Sequence, residues 1–187
     1  MRNNKLFYGS SYDRGLDIVL KLWPKIIEKF PNATLDIAYG WDLYDAGYRD
    51  NAERMDWKNR MNELMKQKGI THHGRLGKKE LKKVREVCGI WVYPTYFAEI
   101  NCITALECQN DGLVPVTMNS FALKETVGTG IKVNGDIYDS GTQETWLKGL
   151  FSIMSDEKVW EFHSKRGQEF TKGYKWDNIA SEWAKYL

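Results

Sequence analysis

Two carboxylates, Glu99 and Glu107, stand with seven residues between them in the segment Tyr93-Pro94-Thr95-Tyr96-Phe97-Ala98-Glu99-Ile100-Asn101-Cys102-Ile103-Thr104-Ala105-Leu106-Glu107-Cys108-Gln109-Asn110-Asp111-Gly112-Leu113-Val114-Pro115-Val116. The pattern predicts a loop through Glu99 and a helix over 101–110, which puts Glu107 near the helix end. Eight helical rises cover roughly 12 Å, about the reach needed to hold both ends of a sugar–diphosphate–ribose ligand. Between the acids lies the helix start, whose free amides and positive dipole end suit a diphosphate. One short segment thus offers carboxylates for sugar and ribose hydroxyls and amides for phosphate. Arg14 precedes another helix, where its charge opposes the dipole, and a bound anion would account for it.

Each of these residues also has a plainer reading. Glu107 could be a surface acid on an amphipathic helix, and Glu99 an acid that simply caps the helix start. Arg14 could be a solvated helix-start residue. Cys102 reads as a small core side chain. His72 and His73 read as a strand end rather than as catalytic groups.

The elements that must position these residues alternate along the chain. Residues 5–8 read as a strand ending in Gly9-Ser10-Ser11. Leu16, Val19, Leu20, Trp23 and Ile27 recur at helical spacing, and Pro24 among them predicts a kink or a break. Residues 33–39 alternate as a strand, 40–50 read as a loop rich in Gly, Asp and aromatics, and 51–68 as a polar helix carrying Met55, Met61, Leu64 and Met65. Gly69 is its expected stop. Strand 70–73, loop 74–77, helix 78–87, strand 89–93, helix 101–110, and strands 114–117 and 131–133 come next. Helices over 142–154, 157–172 and 176–187 close the chain. Repeated βαβ units of this kind predict an α/β, doubly wound parallel sheet, one Rossmann-like domain over 1–187, with its ligand at the carboxyl ends of the strands.

Composition excludes several other functions. The 27 basic and 25 acidic side chains leave a net charge of +2, so no basic excess calls for a nucleic-acid partner. The Lys/Arg clusters at 78–83 and 165–166 read as solvated faces. The three cysteines, Cys88, Cys102 and Cys108, are odd in number and lack metal-ligand spacing. They predict reduced thiols in a cytoplasmic setting and no zinc site. No run of about 18 apolar residues predicts a transmembrane segment, and the polar residues 1–5 do not read as a signal peptide. The eight Trp and ten Tyr are many for one core, so some are expected at a cleft or interface, the 41–48 aromatics among them.

The segment resembles the E-x7-E signature of the GT-B glycosyltransferases, family 4 in particular. Its flanks fit too: a buried strand, Pro94, the two acids, then Gly112 and a Pro115-Val116 strand. Phe7-Tyr8-Gly9-Ser10-Ser11-Tyr12-Asp13-Arg14-Gly15-Leu16 resembles the family's first strand, its loop and the basic residue opening helix one. Asn32-Ala33-Thr34-Leu35 with Tyr39-Gly40 is similar to the second strand. His73-Gly74-Arg75-Leu76 with Glu80-Leu81 resembles the third strand and base-contacting loop, and Lys175-Trp176 the start of the terminal helix.

The resemblance implies roles by position. Glu99 is the catalytic candidate, at the donor sugar near the reacting carbon, and Glu107 would hold the ribose. Asn101, Cys102 and Ile103 would offer amides. Arg14, with the Gly9, Ser10 and Ser11 loop, would take the diphosphate, and Arg75 and Leu76 would flank the base. Ser10 and Ser11 stand where the family often has an Arg, and Cys102 where it often has Gly. The family's amino-terminal acceptor domain has no counterpart in these residues. The resemblance therefore implies a donor-binding domain using a UDP- or GDP-sugar with retention of anomeric configuration, without metal or cofactor. Its acceptor side would come from another domain or a partner chain. The alternative is a non-catalytic nucleotide-sugar-binding subunit. A plain nucleotide-binding domain, such as half of a sugar-nucleotide epimerase, predicts a different placement of acids.

Overall fold

Four consecutive residues, Ile90 to Tyr93, are buried, a pattern that requires a strand covered on both faces. In the computed structural model, which describes residues 2–186, this strand is central. The strands are β1 (Lys5–Tyr8), β2 (Thr34–Ile37), β3 (Ile70–His72), β4 (Ile90–Tyr93), β5 (Val114–Met118) and β6 (Ile131–Val133). They form one parallel sheet in the order β3-β2-β1-β4-β5-β6. Phe7 of β1 lies opposite Asp36 on one side and Trp91 on the other.

The helices are α1 (Leu16–Lys29), α2 (Asp42–Tyr48), α3 (Ala52–Leu64), α4 (Lys78–Val87), α5 (Ile103–Asn110), α6 (Leu123–Thr126), α7 (Ser140–Ser155), α8 (Glu157–Thr171) and α9 (Trp176–Trp183). The strand order reverses between β1 and β4. Right-handed crossovers therefore place α1 and α3 on one face and α4 and α5 on the other. On the first face Phe30, just after α1, meets Phe151 of α7. The single doubly wound domain expected from the alternation is what forms, and its reversal point puts a crevice beside the carboxyl ends of β1 and β4.

Three local expectations are corrected. Pro24 neither breaks α1 nor ends it. A proline frees the carbonyl four residues before it, and here the Leu20 carbonyl accepts a hydrogen bond from Gln67 Nε2 at 2.9 Å. Residues 40–50 are not a plain loop, because α2 lies within them. Aromatic packing outweighs Gly47 there: the Trp41 ring meets Tyr12, Tyr44 and Trp57, and its Nε1 donates to Asn62. The helix carrying Glu107 starts at Ile103 rather than Asn101. The sequence pattern also passed over the single turn α6, and it extended α9 to Leu187, which lies outside the described residues.

Candidate functional site

The loop after β1 sets the geometry. Tyr8 Oη donates to the Ser11 carbonyl at 2.8 Å, and the Arg14 amide donates to the same carbonyl. Gly15 follows with φ 102°, and a Cβ there would lie 2.2 Å from the Pro94 carbonyl oxygen. Only glycine allows both that backbone and that approach. The start of α1 is thereby pressed against the loop after β4, which brings Arg14 to Glu99.

Arg14 Nη1 lies 3.3 Å from Glu99 Oε1, and the guanidinium sits 3.6 Å from the centre of the Phe97 ring. The Arg14 side chain is 31% exposed and that of Glu99 10%. Tyr93 Oη donates to the same Glu99 oxygen at 2.6 Å and lies 3.2 Å from Ser10 Oγ. Burial first, then the contact with Glu99, raises the Tyr93 phenol, so it remains protonated and a donor. Ser10, Arg14, Tyr93 and Glu99 line a cavity of ≈ 230 Å³ together with Gly9, Tyr39, Trp91 and residues 101–104.

The start of α5 faces this cavity without a side-chain cap, since Cys102 occupies the N-cap position. Uncapped first-turn amides are an anion site in waiting. Burial pushes the Cys102 thiol up to about 12, so it packs as a neutral side chain and is not a nucleophile. A second cavity of ≈ 180 Å³ shares Gly9 and Tyr39 with the first and is also lined by Leu43, Arg75, Leu76 and Leu81. Gly40, at φ 88°, lets this wall close: its Cβ would stand 2.9 Å from the Arg75 amide nitrogen. The two cavities make one trough from Arg75–Leu76, across Gly9, to Glu99.

Glu107 lines neither cavity. Its Oε2 accepts from Arg85 Nη1 at 2.9 Å, while Arg85 Nε donates to Asp111 Oδ2 at 2.7 Å. Arg85 is one turn beyond Leu81 on α4, and Glu107 one turn beyond Ile103 on α5. Side chains four apart share a helix face, so the pair lies below the trough, between the two helices. Ser11 also turns away, its Oγ donating to Asp13 Oδ1 at 2.6 Å. The structure therefore brings together Gly9, Ser10, Arg14, Glu99, Asn101, Cys102 and Ile103, and adjoins Arg75 and Leu76. The sequence context does not mark Tyr93, Phe97 and Arg85 as site residues. Tyr93 and Phe97 looked like strand and loop apolar positions. Arg85 looked like one more charge in a polar helix, although it is the one buried residue of α4.

Among the described residues no three His, Cys, Asp or Glu side chains cluster as a metal site, and no helix is long and apolar enough to cross a membrane.

A parallel sheet in this order, with an uncapped helix start and a carboxylate–arginine pair at its reversal point, defines a Rossmann-like α/β domain. The chain belongs to the family described as glycosyl transferases group 1, whose sequence profile matches residues 4–171. Its fold is that of the carboxyl-terminal half of the GT-B enzymes. Among solved structures it is similar to the pneumococcal O-GlcNAc transferase GtfA in complex with UDP and GlcNAc, with TM-score 0.77, 13% identity, and coverage of 99% of this chain and 35% of that one. It is also similar to sucrose-phosphate synthase from Thermosynechococcus elongatus, with TM-score 0.76, 20% identity, and coverage of 97% and 44%. HepE of Anabaena, in complex with UDP-glucose, gives TM-score 0.72, 12% identity, and coverage of 99% and 49%. The chain thus spans about a third to a half of the length of these proteins. No curated protein matches the sequence.

Proposed function

We propose that this chain is the donor-binding domain of a retaining glycosyltransferase that takes a nucleoside diphosphate sugar, a UDP- or GDP-sugar. The carrying observation is that Arg14, Glu99 and the uncapped start of α5 face one cavity, which continues to Arg75 and Leu76. In this reading the diphosphate rests on the Cys102–Thr104 amides and Arg14, with Gly9 leaving room for the backbone to approach. Charge developing on the leaving diphosphate is stabilised there by fixed donors, without a metal ion. Glu99 accepts from a hydroxyl of the donor sugar and orients it. Arg75 and Leu76 flank the base. Glu107, outside the two cavities but 46% exposed, reaches up from the α4–α5 seam to the ribose with the Oε1 that Arg85 leaves free.

The acceptor side of the reaction belongs, in the same proposal, to another domain or chain. GtfA also occurs in a GtfA/B complex, which favours as second reading a nucleotide-sugar-binding subunit that needs a partner for turnover. A cytoplasmic location accompanies either reading. Calorimetry with UDP-glucose, UDP-N-acetylglucosamine and GDP-mannose, with and without EDTA, tests the donor site. Binding of at least one of the three that survives EDTA is expected. Failure of all three would overturn the donor-domain proposal. Product formation by these 187 residues alone is expected to be slow donor hydrolysis only. Robust transfer would overturn the need for a partner.

A further inference from the structure

Arg14 has two claims on it, because it touches Glu99 in this structure and is assigned to a diphosphate in the proposed function. A carboxylate held by Arg14 alone would swing free whenever Arg14 turned to a phosphate. We propose that Tyr93 is the positioning residue that prevents this, fixing which oxygen of Glu99 meets the donor sugar; the inference rests on the donor-binding reading above.

The hydrogen bonds at Glu99 have a fixed direction. Tyr93 Oη carries one hydrogen, and an ionised carboxylate can only accept. The 2.6 Å contact therefore runs from Tyr93 to Glu99 Oε1, and Ser10 Oγ, 3.2 Å from Tyr93 Oη, is the donor in their contact. Arg14 Nη1 donates to the same Oε1. Two donors thus converge on Oε1, and no described residue donates to Oε2, which is left for a ligand hydroxyl.

Tyr93 is itself closely packed. It is buried, its ring stacks on Trp91 at 5.0 Å and 22° between planes, and it tilts against Tyr8 at 5.9 Å. The Glu99 backbone is tied as well, with its amide on the Phe97 carbonyl and its carbonyl on the Ala122 amide. Only the side-chain torsions of Glu99 remain, and the Tyr93 hydroxyl stops them. Preorganisation of this kind lowers the cost of ordering the acid when the sugar arrives.

Tyr93→Phe keeps the ring and removes the hydroxyl. The readout is the sugar increment, the ratio of nucleotide-sugar affinity to nucleoside-diphosphate affinity, measured by calorimetry with the tightest binder among the three nucleotide sugars and its own nucleoside diphosphate. Affinity for the nucleotide sugar is expected to fall about tenfold, the size of one hydrogen bond to a charged group. Affinity for the nucleoside diphosphate is expected to stay at the wild-type value, which also shows that the variant is folded. A second comparison removes Glu99 first: in a Glu99→Ala background, adding Tyr93→Phe is expected to cost no further sugar affinity, because its effect runs through that acid. Equal losses for both ligands, an unchanged sugar increment, or a full additional loss in the Glu99→Ala background would each overturn the proposal. If wild type binds none of the ligands, the donor-binding reading fails, and this inference with it. If wild type binds and discriminates but Tyr93→Phe does so equally well, only the inference fails.

Discussion

Glu107→Ala separates the proposed ribose contact from a merely structural ion pair. Arg85 is 7% exposed and would keep its contact with Asp111, which is 5% exposed. The lost partner, Glu107, is 46% exposed, so solvent already screens that pair and its loss costs about 0–1 kcal/mol. For a domain of this size, such a change moves the thermal midpoint by roughly 2–4 °C at most. The ribose hydroxyls, by contrast, would lose a charged acceptor, which costs roughly 1.5–3 kcal/mol, or about ten- to hundredfold in affinity. Calorimetry with UDP and 2′,3′-dideoxy-UDP, or the guanosine pair if the donor panel selects GDP, reads this directly. Wild type is expected to prefer the hydroxylated nucleotide by about tenfold or more. The variant should bind both as weakly as wild type binds the dideoxy form. A variant that still prefers the hydroxylated nucleotide would refute the role, because the hydroxyls would then be meeting other groups. Collapse of the thermal midpoint would refute the solvent-screening argument.

Arg14→Ala is expected to weaken the nucleoside diphosphate and the full donor alike, by roughly 1.5–3 kcal/mol, and to leave the free nucleoside unaffected; equal diphosphate affinity in variant and wild type would remove Arg14 from the site. Phe121 is a bulky residue at φ 45° and is 56% exposed, a conformation that costs an L-residue roughly 1–2 kcal/mol. Phe121→Gly should therefore hold or raise the thermal midpoint, and a clear fall in a melting curve would show that the ring is packed. His72 and His163 are both lowered from 6.5, first by burial and then by His73 and Arg166 respectively. Groups depressed in the folded state give stability that is present above 6.5 and lost as pH falls through their folded values. Melting at pH 7 and pH 5 should show a fall that shrinks in the double variant His72→Gln/His163→Gln; an undiminished fall would place the pH dependence elsewhere.

The Tyr12–His72 contact shows why that loss has a local cause. Tyr12 Oη accepts from the Gly40 amide at 2.8 Å and lies 2.6 Å from His72 Nε2. In the His72 tautomer that carries its hydrogen on Nδ1, Nε2 accepts the Tyr12 hydrogen. Protonating His72 takes away that acceptor, next to the glycine whose conformation admits the Arg75 wall of the trough. In that tautomer, acid acts on the linkage between β3 and the proposed base-flanking residues.

What could be read from the chain, and what could not, divides by the range of the interaction. The strands 5–8 and 131–133 and the helix 78–87 were legible to the residue, because local alternation and helical spacing already decide them. Pro24 does not break its helix for the opposite reason: its local cost is real, but Gln67, 47 positions from the freed Leu20 carbonyl, offsets it. The helix α2 was hidden in the same way by an aromatic cluster assembled from Tyr12, Trp41 and Trp57. At the site, Glu99 and Arg14 were visible as residue types, yet their direct contact depends on Gly15 fitting under the Pro94 carbonyl, a meeting of two distant loops. Tyr93 and Arg85 were invisible because a buried tyrosine and a helix arginine have no distinctive sequence context. Their meaning lies in the oxygens they occupy. Tyr93 takes Oε1 of Glu99 and Arg85 takes Oε2 of Glu107, so each acid is held by one oxygen and offers the other. The motif names the carboxylates, and the fold decides which of their lone pairs remain for a ligand.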